Sequence, residues 1–119
     1  MAPEDEKWPR AATWLGGSSS APRFAVLGVP AHRTSISETS AHETPQAVRQ
    51  ALLKYSTYSS RLDQDLFDLP VRDFGDVVEP DFAEGESRVA AAVSQVSDGT
   101  LLFAIGGDNS ITYLSLIHI

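Results

Sequence analysis

Two short apolar runs, each bounded by turn residues, predict the centre of a sheet. Residues 24–29 are apolar apart from Gly28 and are followed by Pro30, which has no backbone N–H and cannot continue a central strand. Residues 101–105 have the same character and run into two glycines. Apolar runs of this length are typical of strands that a parallel sheet buries on both faces. We therefore expect two adjacent, parallel, central strands.

Two helical periodicities lie between these strands. Thr44-Pro45 predicts a helix start, with the threonine hydroxyl as N-cap and proline at the first helical position. The stripe that should pack on the sheet consists of Ala47, Val48, Ala51, Leu52 and Tyr55. A second helix is predicted over roughly residues 81–96, with Asp98-Gly99 as its stop. Its apolar face carries Val89, Ala92, Val93 and Val96.

Residues 69–78 predict a third strand, which a preceding proline and the internal Gly75 place at a sheet edge. The alternation of strand and helix implies parallel strands joined by right-handed crossovers. The predicted fold class is α/β, with a doubly wound parallel sheet. Residues 1–22 are expected to be a flexible N-terminal arm, either without a role or with its tryptophans docked on the body or on a neighbouring subunit, and residues 23–119 belong to one α/β domain.

Composition narrows the classes of protein and partner. The 119 residues contain no cysteine, which excludes disulfides, a thiolate nucleophile and thiolate metal ligands. The formal net charge of −7 argues against nucleic acid and anionic membrane as partners, because both need a basic surface. No apolar stretch approaches the roughly 20 residues that span a bilayer, and the acidic N-terminus is unlike a secretory signal. A cytoplasmic location is expected.

The acidic residues are concentrated between positions 61 and 86. This stretch holds nine acids and two arginines, and so it accounts for the whole net charge. Such a field could attract a cationic substrate. The commoner meaning of a charge run is a solvated face that keeps the protein soluble. Asp73 and Asp76 are expected to be structural, and Arg49 on the preceding helix to be structural or to meet an acidic partner or a subunit interface.

The motif that carries chemistry follows the last predicted strand and is Gly106-Gly107-Asp108-Asn109-Ser110. Two glycines allow a sharp turn and a close backbone approach, and the polar residues supply side-chain oxygens at a predicted helix N-terminus. This places them beyond the carboxyl end of a strand, where open α/β folds bind ligands. Residues from Leu114 onward resemble the read-through tail of a truncated gene model, and we assign them no role.

The sequence resembles the N-terminal part of the ureohydrolase family, which includes arginase, agmatinase and formimidoylglutamase. Three segments carry this resemblance: the Gly-Gly motif, residues 24–30 and the helix start Thr44-Pro45-x-x-Val48-Arg49. The resemblance covers most of residues 23–113 and implies a three-layer arginase-like fold, of which this chain is the N-terminal part. It also implies that two manganese ions assist the hydrolysis of C–N bonds in linear amidines. The family's further ligand runs, Asp-x-His-x-Asp and Asp-x-Asp, do not occur in this sequence.

The resembled signature is Gly-Gly-Asp-His-Ser, and Asn109 stands at the position of its manganese-binding histidine. A neutral amide oxygen is a weaker ligand than an imidazole nitrogen, so we expect one manganese position to be weakened. Asn109 is the candidate ligand, and Asp108 supports it on the metal side. The resemblance also makes residues 31–43 the mouth of the site, with substrate contacts from Arg33, Thr34 and Ser37. The two histidines of this loop, His32 and His42, are not assigned as ligands.

Three functions are compatible with these observations. In the first, the full-length protein is a metal hydrolase, formimidoylglutamase-like or agmatinase-like, and the 119 residues alone are inactive. In the second, it is a paralogue that keeps the fold for binding or oligomer assembly. In the third, the Gly-Gly turn is an unrelated anion-binding turn at a helix N-terminus. The first function implies a small-molecule substrate and, by resemblance, a homo-oligomer. No catalytic residue is assigned.

Overall fold

A three-stranded parallel sheet organises the part of the chain that this computed structural model describes, residues 7–108 and 110. In chain order the elements are α1 (Ala11–Leu15), β1 (Phe24–Val29), α2 (Thr44–Ala51), β2 (Tyr58–Ser59), β3 (Gln64–Asp65), β4 (Val71–Asp76), α3 (Phe82–Ser94) and β5 (Leu101–Gly106). Single 3₁₀ turns, Ala41–Glu43 and Leu52–Lys54, flank α2. Strands β2 and β3 form a small antiparallel hairpin that the sequence analysis did not predict.

The sheet order is β4-β1-β5, so β1 lies between its two parallel partners. Phe24 pairs with Val71 on one side and with Leu101 on the other. The prediction that the two apolar runs are adjacent and parallel is confirmed. The prediction that the second run is buried on both faces is wrong for this chain: Leu101 and Phe103 are 59% and 47% exposed. The physical reason is that these alternate residues share one face of β5, and the described helices leave that face partly uncovered.

One face of the sheet is covered by α3, which forms where the apolar periodicity predicted it. The core on this face contains Leu27, Val29, Val77, Val89 and Val93. The helix ends at Ser94, and Gly99 in the following turn has a φ of 86°, a conformation that glycine adopts at low cost. Among the described residues, none of the helices has the length and apolarity needed to cross a membrane.

The other face is covered by α1 and α2. Leu15 of α1 packs with Val26 and Val71 in a second core cluster. The indole Nε1 of Trp14 donates to the carbonyl of Leu69 at 3.0 Å, so this tryptophan is docked on the body of the chain. The boundary predicted between an arm and a domain at residue 22 stays a prediction, and residues 1–6 lie outside the described residues.

Helix α2 differs from its prediction in two respects. Thr44 is not the N-cap, because the 3₁₀ turn Ala41–Glu43 runs directly into the helix and Thr44 is its first residue. The predicted apolar stripe is also wrong at three positions, since Ala47, Ala51 and Tyr55 are exposed. The face turned to the sheet instead carries Pro45, Val48, Arg49 and Leu52, which share the helical spacing. The charged side chain of Arg49 therefore lies on the inner face, and the helix is rotated about its axis relative to the predicted orientation.

Candidate functional site

The Gly-Gly turn at the carboxyl end of β5 packs closely on the end of β1. Gly107 has a φ of 61°, and a Cβ at this position would lie 2.5 Å from the carbonyl oxygen of Val29 and 2.7 Å from the amide nitrogen of Ala31. Only glycine fits this approach. The next residue, Asp108, donates its backbone N–H to the carbonyl of Ala31 at 2.8 Å. The turn thus joins the chain leaving β5 to the loop leaving β1.

The Asp108 carboxylate is held by hydroxyl groups from both of these segments. Its Oδ2 accepts from Thr34 Oγ1 at 3.2 Å and from Ser35 Oγ at 3.0 Å. Its Oδ1 accepts from the backbone N–H of Ser110 at 3.0 Å and from Ser110 Oγ at 2.5 Å. Burial alone would raise the pKa of Asp108, but the hydrogen bonds from Ser110, Ser35 and Thr34 outweigh it and hold this pKa below its ordinary value. The carboxylate is therefore ionised and fixed in orientation.

A second carboxylate holds the same loop from its other side. Asp81, which precedes α3, is 8% exposed, and its Oδ1 accepts the backbone N–H groups of His32 at 3.1 Å and Arg33 at 3.0 Å. The Arg33 guanidinium lies 5.1 Å from the centre of the Phe82 ring. Residues 31–35 thus form a wall with Thr34 and Ser35 facing Asp108 and with His32 and Arg33 facing the start of α3.

A cavity lies on each side of this wall. The one beside Asp108 has a volume of about 280 Å³ and is lined by Thr34, Ser35, Ile36, Asp108 and Ser110. The other, of about 800 Å³, includes His32, Arg33 and His42 in its lining. The rings of the two histidines lie 4.1 Å apart. Within residues 7–108 and 110, however, no three His, Cys, Asp or Glu side chains converge as metal ligands.

The described residues alone do not make the two-manganese site that the resemblance implies. Near the Gly-Gly turn they supply one carboxylate, Asp108, whose two oxygens already accept hydrogen bonds from three hydroxyl groups. Asn109, the candidate ligand, lies outside the described residues. A complete manganese site would need ligands in addition to those that the structure describes.

The family model described as "Arginase family" matches residues 22–118. The chain belongs to the arginase family. It is 33% identical over 111 residues to the formimidoylglutamase of Bacillus subtilis, an alignment that covers 88% of this chain and 34% of the relative. It is 31% identical over 94 residues to the agmatinase of Pyrococcus horikoshii, covering 76% of this chain and 33% of the relative. This arginase-family chain spans about a third of the length of these curated relatives.

Solved structures have the same fold. The crystal structure of Bacillus subtilis formimidoylglutamase superposes with a TM-score of 0.84 at 25% identity, and the match covers 100% of this chain and 40% of that one. Trypanosoma cruzi formiminoglutamase with Mn²⁺ superposes with a TM-score of 0.76 at 22% identity, covering 91% of this chain and 38% of that one. The predicted α/β fold class, a parallel sheet of the arginase type of which this chain holds part, is confirmed.

The structure brings together some of the site residues predicted for this arginase-family chain and separates others. Thr34 meets Asp108 directly, whereas Arg33 points to the larger cavity. Ser37 is exposed, and within the described part of the chain no hydrogen bond joins it to Asp108. The sequence analysis missed Ser35 and Asp81. The available signals were weak: Ser35 follows the candidate contact Thr34, and Asp81 is an acid at the start of a helix.

A separate cluster of charges fixes α2 on the sheet. Arg49 donates from Nε and Nη2 to the two oxygens of Asp73 at 2.8 and 2.9 Å, and from Nη1 to Asp76 Oδ1 at 2.5 Å. The hydrogen bond with Asp73 is the main cause that raises the pKa of Arg49 above its ordinary value. Arg49 therefore finds its acidic partners within the chain. Gly28 lies beneath this cluster, where any Cβ would overlap the Asp76 carboxylate and lie 3.0 Å from Pro45 Cβ.

Proposed function

We propose that this chain is the N-terminal part of a manganese-dependent hydrolase that cleaves C–N bonds of a linear amidine, either a formimino or a guanidino compound. The observation that carries the proposal is the junction at the carboxyl end of β5, where the Gly-Gly turn brings Asp108 onto the hydroxyl groups of the loop after β1. Support for the reaction comes from the relatives, which are named formimidoylglutamase and agmatinase.

Two manganese ions are proposed, with one position weakened by Asn109. The Mn²⁺ in Trypanosoma cruzi formiminoglutamase supports the choice of metal. Asn109 is the proposed ligand from this chain, beside Asp108, and the remaining ligands are proposed to follow later in the full-length protein. When bound, manganese supplies Lewis-acid activation of water near neutral pH. Without the later ligands, the 119 residues alone are expected to be inactive.

The chain's own residues contribute orientation and substrate contact. Thr34, Ser35 and Ser110 hold the Asp108 carboxylate in one orientation, and such supporting hydrogen bonds tune a neighbouring metal ligand. Arg33, Thr34 and Ser37 are the proposed substrate contacts. Thr34 is the best placed of the three, since it lies in the cavity that also contains Asp108. On the family resemblance, the proposal extends to a cytoplasmic, homo-oligomeric enzyme with a small-molecule substrate.

A non-catalytic paralogue is the second candidate, and the observation that favours it is Asn109 itself. A protein that keeps the fold for binding or assembly has no need of a strong metal ligand at this position. Hydrolysis decides between the two. The full-length protein, loaded with Mn²⁺, should release product from formiminoglutamate or from agmatine and should lose this activity on chelation. Manganese binding without turnover of either compound would favour the paralogue.

Replacement of Asn109 by histidine tests the metal assignment. Asn109→His in the full-length protein should tighten manganese binding at one position by about tenfold or more, because changes even outside the first ligand sphere alter metal affinity by ten- to hundredfold. Activity need not rise, since catalysis also depends on how the surrounding groups orient the new ligand. Titration by calorimetry is therefore the readout, and Gln46→His, an exposed change on α2, is the matched control. Equal affinity and stoichiometry in wild type and Asn109→His would remove position 109 from the site.

A further inference from the structure

The loop formed by residues 31–35 has little internal means of keeping its shape. Residues 30–40 form neither helix nor strand, and Ile36 is fully exposed. The loop is fixed by contacts with two other segments. At the end of β5, Asp108 bonds the Ala31 carbonyl and the hydroxyl groups of Thr34 and Ser35. Just before α3, the Asp81 carboxylate accepts the backbone N–H groups of His32 and Arg33, which lie between Ala31 and Thr34. Within the loop, the Ser35 N–H donates to the His32 carbonyl at 3.3 Å, and this turn bond joins the two attached parts.

Asp81 is used in an unusual way for an acid at a helix N-terminus. It occupies the N-cap position of α3, where an aspartate ordinarily accepts a hydrogen bond from the first turn of its own helix. Its side chain makes no such bond. Instead, one oxygen accepts two consecutive N–H groups, those of His32 and Arg33. The other oxygen lies 3.7 Å from His32 Nδ1, which is too long for a hydrogen bond.

Burial makes this attachment strong. Asp81 is 8% exposed, so water does not compete freely for its oxygens, and hydrogen bonds to an ionised carboxylate are stronger than those between neutral groups. If the carboxylate is removed, two partly buried backbone N–H groups lose their acceptor, and the loop must move or take water from the larger cavity as a replacement. Movement of His32 and Arg33 would displace Thr34, which follows them directly.

We propose that Asp81 is a positioning residue for the active site: by accepting the amides of His32 and Arg33 it sets residues 31–35 so that Thr34 and Ser35 stay on Asp108 and face the substrate. This inference rests on the proposed function, in which this loop contacts the substrate. In this proposal Asp81 acts through the loop and not by direct contact with substrate or metal. Its effect should therefore appear in substrate binding.

Two variants separate the role of the oxygen from that of the charge. Asp81→Ala removes the acceptor, whereas Asp81→Asn keeps one oxygen that can accept both amides without the charge. In the full-length protein we expect backbone amide exchange of residues 32 and 33 to speed up by about tenfold or more in Asp81→Ala, and by much less in Asp81→Asn. Asp98→Ala changes an exposed aspartate after α3 and is the matched control, with no effect on this exchange.

The kinetic expectation follows from the position of the loop. Asp81→Ala should raise KM for the hydrolysed amidine by about tenfold with kcat changed less than about twofold, the pattern of lost substrate binding, and Asp81→Asn should recover most of the loss. If Asp81→Ala does not fold, Asp81→Glu carries the same test, because its extra methylene moves the oxygens away from the two amides while keeping the charge.

Three results would overturn the proposal. Unchanged exchange at residues 32 and 33 in Asp81→Ala would show that the carboxylate does not hold the loop. Faster exchange with KM unchanged would reduce Asp81 to a structural residue. Equal changes in amide exchange and KM in Asp81→Asn and Asp81→Ala would show that the negative charge, and not the accepting oxygen, holds the loop. If the wild-type protein hydrolyses no amidine, the proposed function fails, and the exchange measurement still decides whether Asp81 sets the loop.

Discussion

The ion cluster around Arg49 offers a quantitative test of what fixes α2 on the sheet. The side chains of Arg49 and Asp73 are 19% and 22% exposed, and that of Asp76 is 38% exposed. Fully exposed ion pairs contribute about 0–1 kcal/mol, whereas removal of one partner from a fully buried pair costs about 3–5 kcal/mol. With three donated hydrogen bonds and partial burial, this cluster lies between these limits. We expect Arg49→Ala to lower the free energy of unfolding by about 2–3 kcal/mol.

Arg49→Lys separates geometry from charge. A lysine keeps the positive charge but not the planar fork that binds both oxygens of Asp73. We expect it to lose about 1–2 kcal/mol, because one compact ammonium group replaces the bidentate pair and the bond to Asp76. The pKa of Arg49 is raised in the folded state, so its contribution is present below the ordinary arginine pKa and would be lost only as pH rises through the higher value. The effect is therefore constant across neutral pH.

Urea denaturation of the full-length protein measures these differences through the midpoint, provided that the slope is unchanged. Arg61→Ala is the matched control, since Arg61 is exposed and donates no hydrogen bond to another described residue; its effect should stay within about 0.5 kcal/mol. A loss from Arg49→Ala no larger than that from Arg61→Ala would refute the reasoning. Equal losses from Arg49→Ala and Arg49→Lys would show that the fork, and not the charge, carries the whole effect.

Further predictions concern three other places in the fold. Gly28→Ala should destabilise the protein by about 1–3 kcal/mol in the same urea assay, because the new methyl group displaces the Asp76 carboxylate; a wild-type midpoint would contradict this. Thr57→Val should raise the pKa of Asp65 towards its ordinary value of 3.8, since the Thr57 hydroxyl is the main cause that lowers it. A lowered pKa stabilises the fold above that value and ceases to do so as pH falls through the folded-state pKa, so NMR titration should show the wild-type hairpin persisting to lower pH than the variant. The 119 residues expressed alone should aggregate through the unpaired edge of β5, and Phe103→Lys should reduce this; a reversible melt of soluble wild-type monomer would count against it.

The sheet and α3 were predictable because their signals are local and long. The apolar run of β1 is buried over five consecutive residues, and the spacing of Val89 and Val93 faces α3 to the core, as the periodicity requires. Parallel pairing followed from the order of strands and helices. The hairpin of β2 and β3 escaped prediction because it is two residues long on each side and lacks apolar alternation. Short elements depend on contacts that a periodicity does not contain.

The site was predictable only in part, for a related reason. Gly107 and Asp108 could be identified because the turn chemistry lies in adjacent residues, and Thr34 because the family resemblance extends to the loop after β1. Asp81 could not be identified, because an acid before a helix predicts a cap, and the sequence does not show that its oxygen turns to amides of a loop 48 and 49 residues away. For Arg49, likewise, hydrophobicity favoured the wrong face of α2, because two acids on β4 attract the charge inward.

The position of β1 between β4 and β5 also sets the order in which this sheet can assemble during synthesis. After β1 has been made, its neighbour β4 leaves the ribosome before its other neighbour, β5, which follows only after α3. At roughly 5–20 residues per second, β1 has one unpaired edge for about one to six seconds. During that interval the backbone N–H and C=O groups along this edge of β1 are open to water, to another strand or to a chaperone. Of the described strands β5 emerges last and Asp108 follows it by two residues, so the described part of the candidate site forms with the pairing that completes the sheet of the described residues.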